Sequence, residues 1–362
     1  MVANYSAESY EVQSMNHLLK NAVECSECGF LSDCGGLFEK ASMLGCFSEC
    51  AINCDPATCD LTCPHNHELF ADRLKEIEGR FEFSSPILNV ANTDLPQYVT
   101  KIHNGSSRSK LIDLPVVVIP VREILHKSGS EVSCRFKTAG QLRKYFRLSS
   151  RSAYIISCIS VDEHVEMVWW GLKYGGLAEQ LSKLTPAAII VPNFSFFIDD
   201  VPRTHTIYNR KRVALASRIL SEAGCRVILP LNALTQHDWD FWHKLLQENH
   251  DMLYVAKEFQ TGLKVSEAAT RAIENLVKLQ SRLNRPIHPI VFGGSKYKNA
   301  LLSHFRNYTI VDSRPFMMAA KRRKAIETDI GSYSEVHSPT AKGETIDKLL
   351  KANIEMRLKY LG

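Results

Sequence analysis

The chain of 362 residues contains no run of eighteen or more apolar residues, so its sequence predicts no transmembrane helix. Its first residues, MVANYSAESYEVQ, lack the basic and apolar regions of a signal peptide, and we therefore expect a cytoplasmic protein without membrane contact. Repeats and low-complexity tracts are missing, as are Walker-type, HExxH, GxSxG and kinase motifs. These absences exclude solenoids and several common classes of catalytic site.

The composition is that of a folded protein, with 45% hydrophobic and 23% charged residues. The formal net charge of +5 hides an asymmetry, because residues 1–79 hold 4 basic and 13 acidic side chains, a net charge of −9. The remainder of the chain therefore carries +14. We expect an acidic module over 1–79, a basic module over 80–327, and a loop and helix over 328–362.

Eight of the eleven cysteines lie in the acidic module. In a reducing compartment, clustered cysteines favour metal binding over disulfides. A small acidic module with few large apolar residues would also gain folding energy from metal–thiolate bonds. The predicted ligands are Cys25, Cys28, Cys34, Cys46, Cys50, Cys54, Cys59 and Cys63.

Eight thiolates suit two four-cysteine sites, which hold either two iron–sulfur clusters of the 4Fe-4S kind or two zinc ions. The module has one Cys-x2-Cys pair, Cys25 and Cys28, whereas zinc modules usually show two. The Cys63-Pro64 step is similar to the end of a ferredoxin-type run. We therefore expect iron–sulfur clusters, with zinc as the alternative, and the spacing leaves the grouping of the cysteines open.

The basic module alternates short apolar runs with longer amphipathic stretches. Continuous runs rich in Val, Ile and Leu are typical of parallel strands buried on both faces. Eight such runs over about 240 residues predict a (β/α)8 TIM-like barrel, with an open doubly wound sheet as the alternative. The predicted strands are Pro86–Asn92, Leu114–Val121, Ser152–Ile159, Ala187–Asn193, Arg226–Asn232, Met252–Phe259, Ile287–Gly294 and Tyr308–Ser313.

A barrel carries its chemistry at the C-terminal ends of its strands. Three aspartates there are candidates for acid/base or nucleophilic catalysis: Asp199, Asp200 and Asp312. The candidates for substrate binding are Asn193, Arg203, Asn232, Glu258, Gly294, Lys296 and Arg314. Arg122 also follows a predicted strand, and Lys257 lies near the end of another. Turn formation and helix capping explain such residues as well, because strands end where the apolar run ends.

Two observations predict an anionic partner. The segment Gly293-Gly294-Ser295-Lys296 follows the seventh predicted strand, where barrels often bind phosphate. Basic residues alternate with aromatic ones in RKYFR (143–147) and YNRKR (208–212), and KRRK (321–324) adds a third basic run. Such runs favour nucleic acid or a nucleotide as ligand, although a solvated helix face is the ordinary alternative for each.

The C-terminal part is predicted to contain a polar loop over 328–344 and an amphipathic helix over Thr345–Leu361. The apolar side of that helix carries Ile346, Leu349, Leu350, Ile354 and Leu358. We expect it to pack across the barrel or against a second copy or another protein partner.

Two segments resemble a known family. The sequences VPNFSFFIDDVPR (191–203) and GCRVILPLNAL (224–234) make residues 188–242 similar to an uncharacterised domain of bacterial, phage and plasmid proteins, which implies no established activity.

A second resemblance, to tRNA-guanine transglycosylase-like barrels, rests on aspartates at strand ends. It implies base exchange through a covalent aspartyl intermediate, with Asp199 or Asp200 and Asp312 in those roles. The cysteines of those enzymes come late in the chain, whereas here they come first. Radical S-adenosylmethionine enzymes carry Cys-x3-Cys-x2-Cys, from which Cys46-x3-Cys50-x3-Cys54 differs by one residue.

Three hypotheses of function follow. The first is a metal-cluster enzyme that acts on nucleic acid or a nucleotide, as a transferase that exchanges or modifies a base. The second is an iron–sulfur redox or radical enzyme. The third is a nucleic-acid-binding or assembly protein with structural zinc and no catalysis.

Overall fold

The computed structural model describes residues 32, 55, 58–64, 66–84, 86–104, 108–196, 201–260, 266–328 and 333–361. The chain divides into two compact units. One consists of Met1–Glu82, Phe196–Lys211 and Ala233–Asp238, and the other of Phe83–Ser195, Arg212–Asn232 and Trp239–Gly362. The segments of the first unit that follow residue 82 come from within the sequence expected to form only the barrel.

Eight parallel strands of the second unit close into a barrel, which confirms the predicted (β/α)8 architecture. Hydrogen bonding around the barrel runs in the order β1, β2, β5, β6, β7, β8, β9, β10 and back to β1. The strands are β1 (Tyr98–Lys101), β2 (Val116–Pro120), β5 (Ala153–Ser157), β6 (Ala188–Ile190), β7 (Val227–Pro230), β8 (Tyr254–Glu258), β9 (His288–Phe292) and β10 (Thr309–Asp312).

The first barrel strand lies later in the chain than predicted. Instead of a strand, the segment Pro86–Asn92 makes one isolated bridge, from Val90 to Val227 at the start of β7. The Leu88 N–H donates to the side chain of Asn249 at 2.7 Å. Because β7 begins at Val227, this segment lies at the N-terminal end of the barrel, where Leu88 and Ala91 are buried and Ile87 is exposed.

The barrel interior is filled by one cluster of buried apolar side chains. Residues of a strand alternate between its two faces, so every second residue of each barrel strand points inward. The inward set includes Val99, Val118, Ile155, Ile190, Ile228, Ala256, Ile290, Phe292 and Val311. The parity of this set decides which polar residues at the strand ends face the lumen.

Ten α-helices lie in the described residues. They are α1 (His67–Glu76), α2 (Ala139–Phe146), α3 (Asp162–Tyr174), α4 (Leu177–Ser182), α5 (Arg203–Glu222), α6 (Gln236–Glu248), α7 (Ser266–Leu283), α8 (Lys298–His304), α9 (Arg314–Ala320) and α10 (Asp347–Leu361). After α5, Gly224 has φ +85°, the left-handed conformation expected of a glycine beyond a helix end. None of the described helices is both long and apolar enough to cross a bilayer.

Two antiparallel hairpins accompany the barrel, β3 (Leu125–Ser128) with β4 (Glu131–Cys134) and β11 (Arg323–Glu327) with β12 (Tyr333–His337). The strand β12 lies within the segment predicted to be a loop, so that prediction is wrong for these residues. The side chains of β12 are mostly polar, so its sequence does not have the pattern of a strand. Its pairing partner β11 includes Arg323 and Lys324 of the basic run 321–324.

The helix α10 confirms the predicted C-terminal helix and packs on α9 and β11 of its own unit. Leu349, Leu350 and Ile354 are buried there, while Leu358 is 41% exposed. The side chain of Asn353 accepts the Ala325 N–H at 2.8 Å and so joins the helix to β11. Most of the apolar face expected to meet a partner is therefore covered by the same chain.

Candidate active site

A lysine lies inside the C-terminal mouth of the barrel. Lys101 ends β1 and follows Val99 by two residues, so it shares the inward face of that strand. Its ammonium lies 5.8 Å from the centroid of the Phe292 ring, which belongs to the interior cluster. The pKa of Lys101 is lowered to about 8 by burial and by the nearby Arg122 guanidinium, which together outweigh the attraction of Glu258 and Glu123.

A carboxylate and an amide face this lysine from the other side of the mouth. Glu258 ends β8 on the same face as Ala256, and its Oε2 accepts a hydrogen bond from the Asn193 side chain at 3.1 Å. The Asn193 side-chain oxygen accepts the Ser160 N–H at 3.1 Å, which fixes the orientation of the amide. Both residues were predicted to bind substrate, and the structure brings them together.

A histidine after β1 and an arginine and a glutamate after β2 lie next to these residues. His103 Nδ1 lies 2.7 Å from Glu123 Oε1, and Arg122 Nη2 lies 3.4 Å from the same nitrogen. The His103 ring packs on Phe316 with centroids 5.3 Å apart. We call Lys101, His103, Arg122, Glu123, Asn193 and Glu258 the mouth group.

Lys101 and His103 escaped the sequence reasoning because the first strand was assigned to Pro86–Asn92. The sequence predicts site residues at the ends of its predicted strands, and Lys101 lies at the end of a strand that it does not predict. The signal that could have found them is the sequence YVTKIH (98–103), in which β-forming residues precede a lysine and a histidine.

The predicted catalytic residue Asp312 lies on the other side of the barrel wall. It follows the inward-facing Val311 by one residue, so its carboxylate points outward, where Arg357 of α10 donates to it through Nε at 2.7 Å. The Arg314 N–H also donates to it, at 2.8 Å. Asp312 therefore joins α10 to the end of β10 and does not join the mouth group.

Lys257 and Asn232 form a second polar contact, with Lys257 on the outward face of β8. Lys257 occupies the opposite face of β8 from Glu258 and donates to the Leu231 carbonyl at 2.7 Å and to the Asn232 side chain at 3.3 Å. The Asn232 amide in turn donates to the Phe194 carbonyl at 3.2 Å. Burial lowers the pKa of Lys257 to about 8, so both lysines near Glu258 are shifted alike.

The predicted phosphate loop follows β9 at the barrel end that carries the mouth group. Gly294 has φ +69°, and a Cβ there would lie 3.3 Å from Phe259 Cβ, so the turn requires glycine. Lys296 is exposed, and its ammonium lies 4.9 Å from the Tyr297 ring centroid. Arg314 pairs with Glu335 at 2.9 Å. The phosphate role of this loop stays a prediction.

The central basic run is buried rather than exposed to a ligand. Arg210 and Arg203 both bind the Asp238 carboxylate in the first unit, at 2.7 and 2.6 Å. Burial alone would raise the pKa of Asp238, but these two guanidinium groups outweigh it and hold that pKa below its usual range. In the second unit, Arg212 pairs with Glu166 and lies over the Phe194 ring. These cations stabilise the fold and are not presented to nucleic acid.

Some of the remaining predicted residues lie among those that the structure describes and others do not. Asp199 and Asp200 lie outside the described residues, as do six of the predicted metal ligands: Cys25, Cys28, Cys34, Cys46, Cys50 and Cys54. Cys59 is half-buried and Cys63 is buried. Beside them, Thr62 is bound by His205 and Thr204 of α5, at 3.1 and 2.6 Å. Within the described part of the chain, no group of three metal-binding side chains occurs.

A cavity of about 710 Å³ lies outside the barrel, between the β3–β4 hairpin and α3. Trp170 and Tyr174 stack in its wall with centroids 5.7 Å apart, and Glu131 and Glu163 add negative charge. It contains no member of the mouth group. The convergent charged side chains lie in the lumen and not in this cavity.

No model of a protein family and no curated protein sequence matches this chain when they are compared with it, so the assignment of the site depends on the geometry of the mouth group.

Proposed function

We propose that the barrel is an enzyme that acts on a nucleotide at its C-terminal mouth, as a transferase that exchanges or modifies the base. The observation that carries this proposal is the convergence of Lys101, Glu258 and Asn193 from three separate strands on one lumen. A lysine with a lowered pKa that shares a barrel mouth with a carboxylate and an amide is typical of catalytic sites.

The cations of the mouth group suit the phosphate of such a substrate. Arg122 is exposed at the end of β2, and its planar guanidinium can hold a phosphate through two hydrogen bonds. The burial of the run 208–212 removes the central one of the three basic runs from any surface that could bind a nucleic-acid backbone, since such a backbone needs exposed cations. A mononucleotide requires only the cations at the mouth.

The carboxylate and amide suit the base and the proton transfers. The edge of a nucleobase presents donors and acceptors that an amide and a carboxylate can match. Glu258 is half-buried between Asn193 and Lys101 and is the general acid/base of this proposal. Asp312, which the transglycosylase resemblance made a nucleophile, has no place in it because Arg357 holds its carboxylate outside the lumen.

Calorimetric titration of the full chain with AMP, GMP, CMP and UMP, and with the four nucleosides, tests this function. We expect one nucleotide to bind best, and Arg122→Met to weaken it at least tenfold while nucleoside binding changes little. Glu258→Gln is expected to alter the preference among the bases.

Lys324→Met is the matched control, since it removes an exposed cation from β11 without touching the mouth. Equal loss in this control would mean that only net charge attracts the ligand. Tight binding of single-stranded RNA that Arg122→Met leaves unchanged would support the non-catalytic nucleic-acid-binding protein instead.

The cysteine-rich segment adds a metal cluster to the proposal, supported by the eight cysteines of the sequence. Metal analysis and the absorption spectrum of anaerobically purified protein test it. Iron, sulfide and a broad band near about 400 nm are expected for iron–sulfur clusters. A colourless protein with two zinc ions would make the module structural.

A further inference from the structure

We propose that the Lys101 amine is a nucleophile that forms an imine with the aldehyde carbon of a phosphate-bearing sugar. This inference rests on the proposed function, since that carbon is the sugar C1′ of a nucleotide once water has replaced the base at C1′, the base has left with a proton, and the sugar ring has opened to the aldehyde. It moves the covalent role from the aspartates to a lysine.

The surroundings of Lys101 suit a nucleophile. Its ammonium lies over the face of Phe292, and the structure records for it no hydrogen bond or ion pair to any described residue. A lysine with a pKa of about 8 has roughly a quarter of its amine neutral at pH 7.5, against about one part in a thousand for an ordinary lysine. Only the neutral amine attacks a carbonyl.

The step balances without any further reactant. The Lys101 nitrogen forms a bond to the aldehyde carbon, and the carbonyl oxygen takes up one proton from the nitrogen to give a carbinolamine. Loss of the second proton from nitrogen and departure of the hydroxyl give the imine and one water. Glu258 is placed to carry each proton from nitrogen to oxygen, because its charge acts on the same ammonium.

Lys257 supplies a comparison within the same chain. Its pKa is also about 8, so a lowered pKa alone would make the two lysines equally reactive. Its amine, however, donates to the Leu231 carbonyl and the Asn232 side chain, and it lies on the opposite face of β8 from the lumen. The geometry therefore predicts reaction at Lys101 and not at Lys257.

The test treats the full chain at pH 7.5 with glycolaldehyde phosphate and sodium cyanoborohydride, and maps the reduced adduct by mass spectrometry. We expect Lys101 to be modified at least tenfold faster than Lys257 and the exposed Lys296 and Lys324. Uncharged glycolaldehyde is the matched control, and its selectivity should be smaller, because it keeps the advantage of the lowered pKa of Lys101 but lacks the phosphate. The rate at Lys101 should level off above pH 8, whereas that of exposed lysines should continue to rise.

Modification of Lys101 no faster than the exposed lysines overturns the inference. Lys101→Arg separates this failure from failure of the proposed function, because it keeps the positive charge but cannot form an imine. Nucleotide binding that survives in Lys101→Arg, together with an unreactive Lys101 in the wild type, would leave the function standing and remove the imine. Selective modification of Lys101 without any nucleotide binding would support the imine and contradict the proposed function.

Discussion

Lys101 and Lys257 lie on two sides of one barrel wall and have the same lowered pKa, about 8, but they differ in their contacts. Outside the lumen, Lys257 and Asp312 each bind named partners at hydrogen-bonding distance. Inside the mouth, Lys101 meets an aromatic face and charges at longer range. The contrast teaches that burial sets the pKa of a cation, while its hydrogen bonds decide whether it stabilises the fold or remains available for chemistry.

The largest expected difference in stability comes from removing one charge outside the barrel wall and one charge at the mouth. Arg357→Met leaves Asp312 buried without its main partner and should cost about 3–5 kcal/mol of unfolding free energy. Arg122→Met at the mouth should change that free energy by less than about 0.5 kcal/mol because Arg122 is exposed. Urea denaturation followed by circular dichroism measures both.

The variant Asp312→Asn extends this test to function, with nucleotide conversion and stability both measured. Loss of nucleotide conversion at unchanged stability would return Asp312 to a catalytic role and contradict the comparison. Reduced stability with base exchange retained would agree with it.

A second prediction concerns a histidine at the N-terminal end of the barrel. Burial lowers the pKa of His288 to about 4, and its Nε2 lies 2.8 Å from Thr309 Oγ1. The pKa of His288 in the folded protein lies below the unfolded value of about 6.5. The unfolded chain therefore binds a proton first, and the free energy of unfolding, which is highest above pH 6.5, decreases as the pH falls towards 4. Between pH 7.5 and 5, the loss should reach about 2 kcal/mol.

Thermal unfolding of the wild type and of His288→Asn across this pH range measures the effect. The variant should show a smaller dependence on pH, since asparagine does not titrate. An equal slope in both proteins would show that other groups cause the acid sensitivity.

A third prediction concerns the turn after β9. Gly294→Ala places a side chain at φ +69° and 3.3 Å from Phe259 Cβ, and should cost about 1–2 kcal/mol. Gly343→Ala is the matched control, with φ +82° and no atom within 4 Å of the added Cβ, so it reports the backbone cost alone. Urea titration of both variants is expected to give the larger loss for Gly294→Ala.

The smallest effect separates the two lysines in stability. Lys101→Met removes a disfavoured charge and no recorded hydrogen bond, so the free energy of unfolding should rise by about 1 kcal/mol at pH 7.5. Lys257→Met leaves the Leu231 carbonyl and the Asn232 side-chain oxygen without this donor, and should lower it by about 1 kcal/mol. If the free energy of unfolding changed in the same direction in both variants, the two lysines would not differ in their effect on stability.

The barrel itself could be predicted because seven of its strands are short apolar runs between amphipathic segments. Glu258 and Asn193 are predicted site residues because they lie at the ends of such runs. The first strand failed because the sequence PILNVAN (86–92) is more apolar than YVTK (98–101), although only the latter enters the barrel. A short apolar segment at the N-terminal end of a barrel and a barrel strand can have the same apolar pattern.

The roles of single charges could not be predicted in this way. The sequence gives no sign that Arg357 meets Asp312, since 45 residues separate them. The run 208–212 resembles a nucleic-acid surface as a sequence, yet Arg210 is buried against Asp238 and Arg212 against Phe194. Contacts between residues far apart in the chain decide whether a cation is exposed.

The sequence alone determined the alternation of strands and helices, the split of charge at residue 80 and the set of polar residues at strand ends, because these follow from local hydrophobic patterning. Only the tertiary structure decided which of those polar residues share the lumen. The closure of the barrel fixes the parity of every strand, and that parity turns Lys101 and Glu258 inward and Asp312 and Lys257 outward.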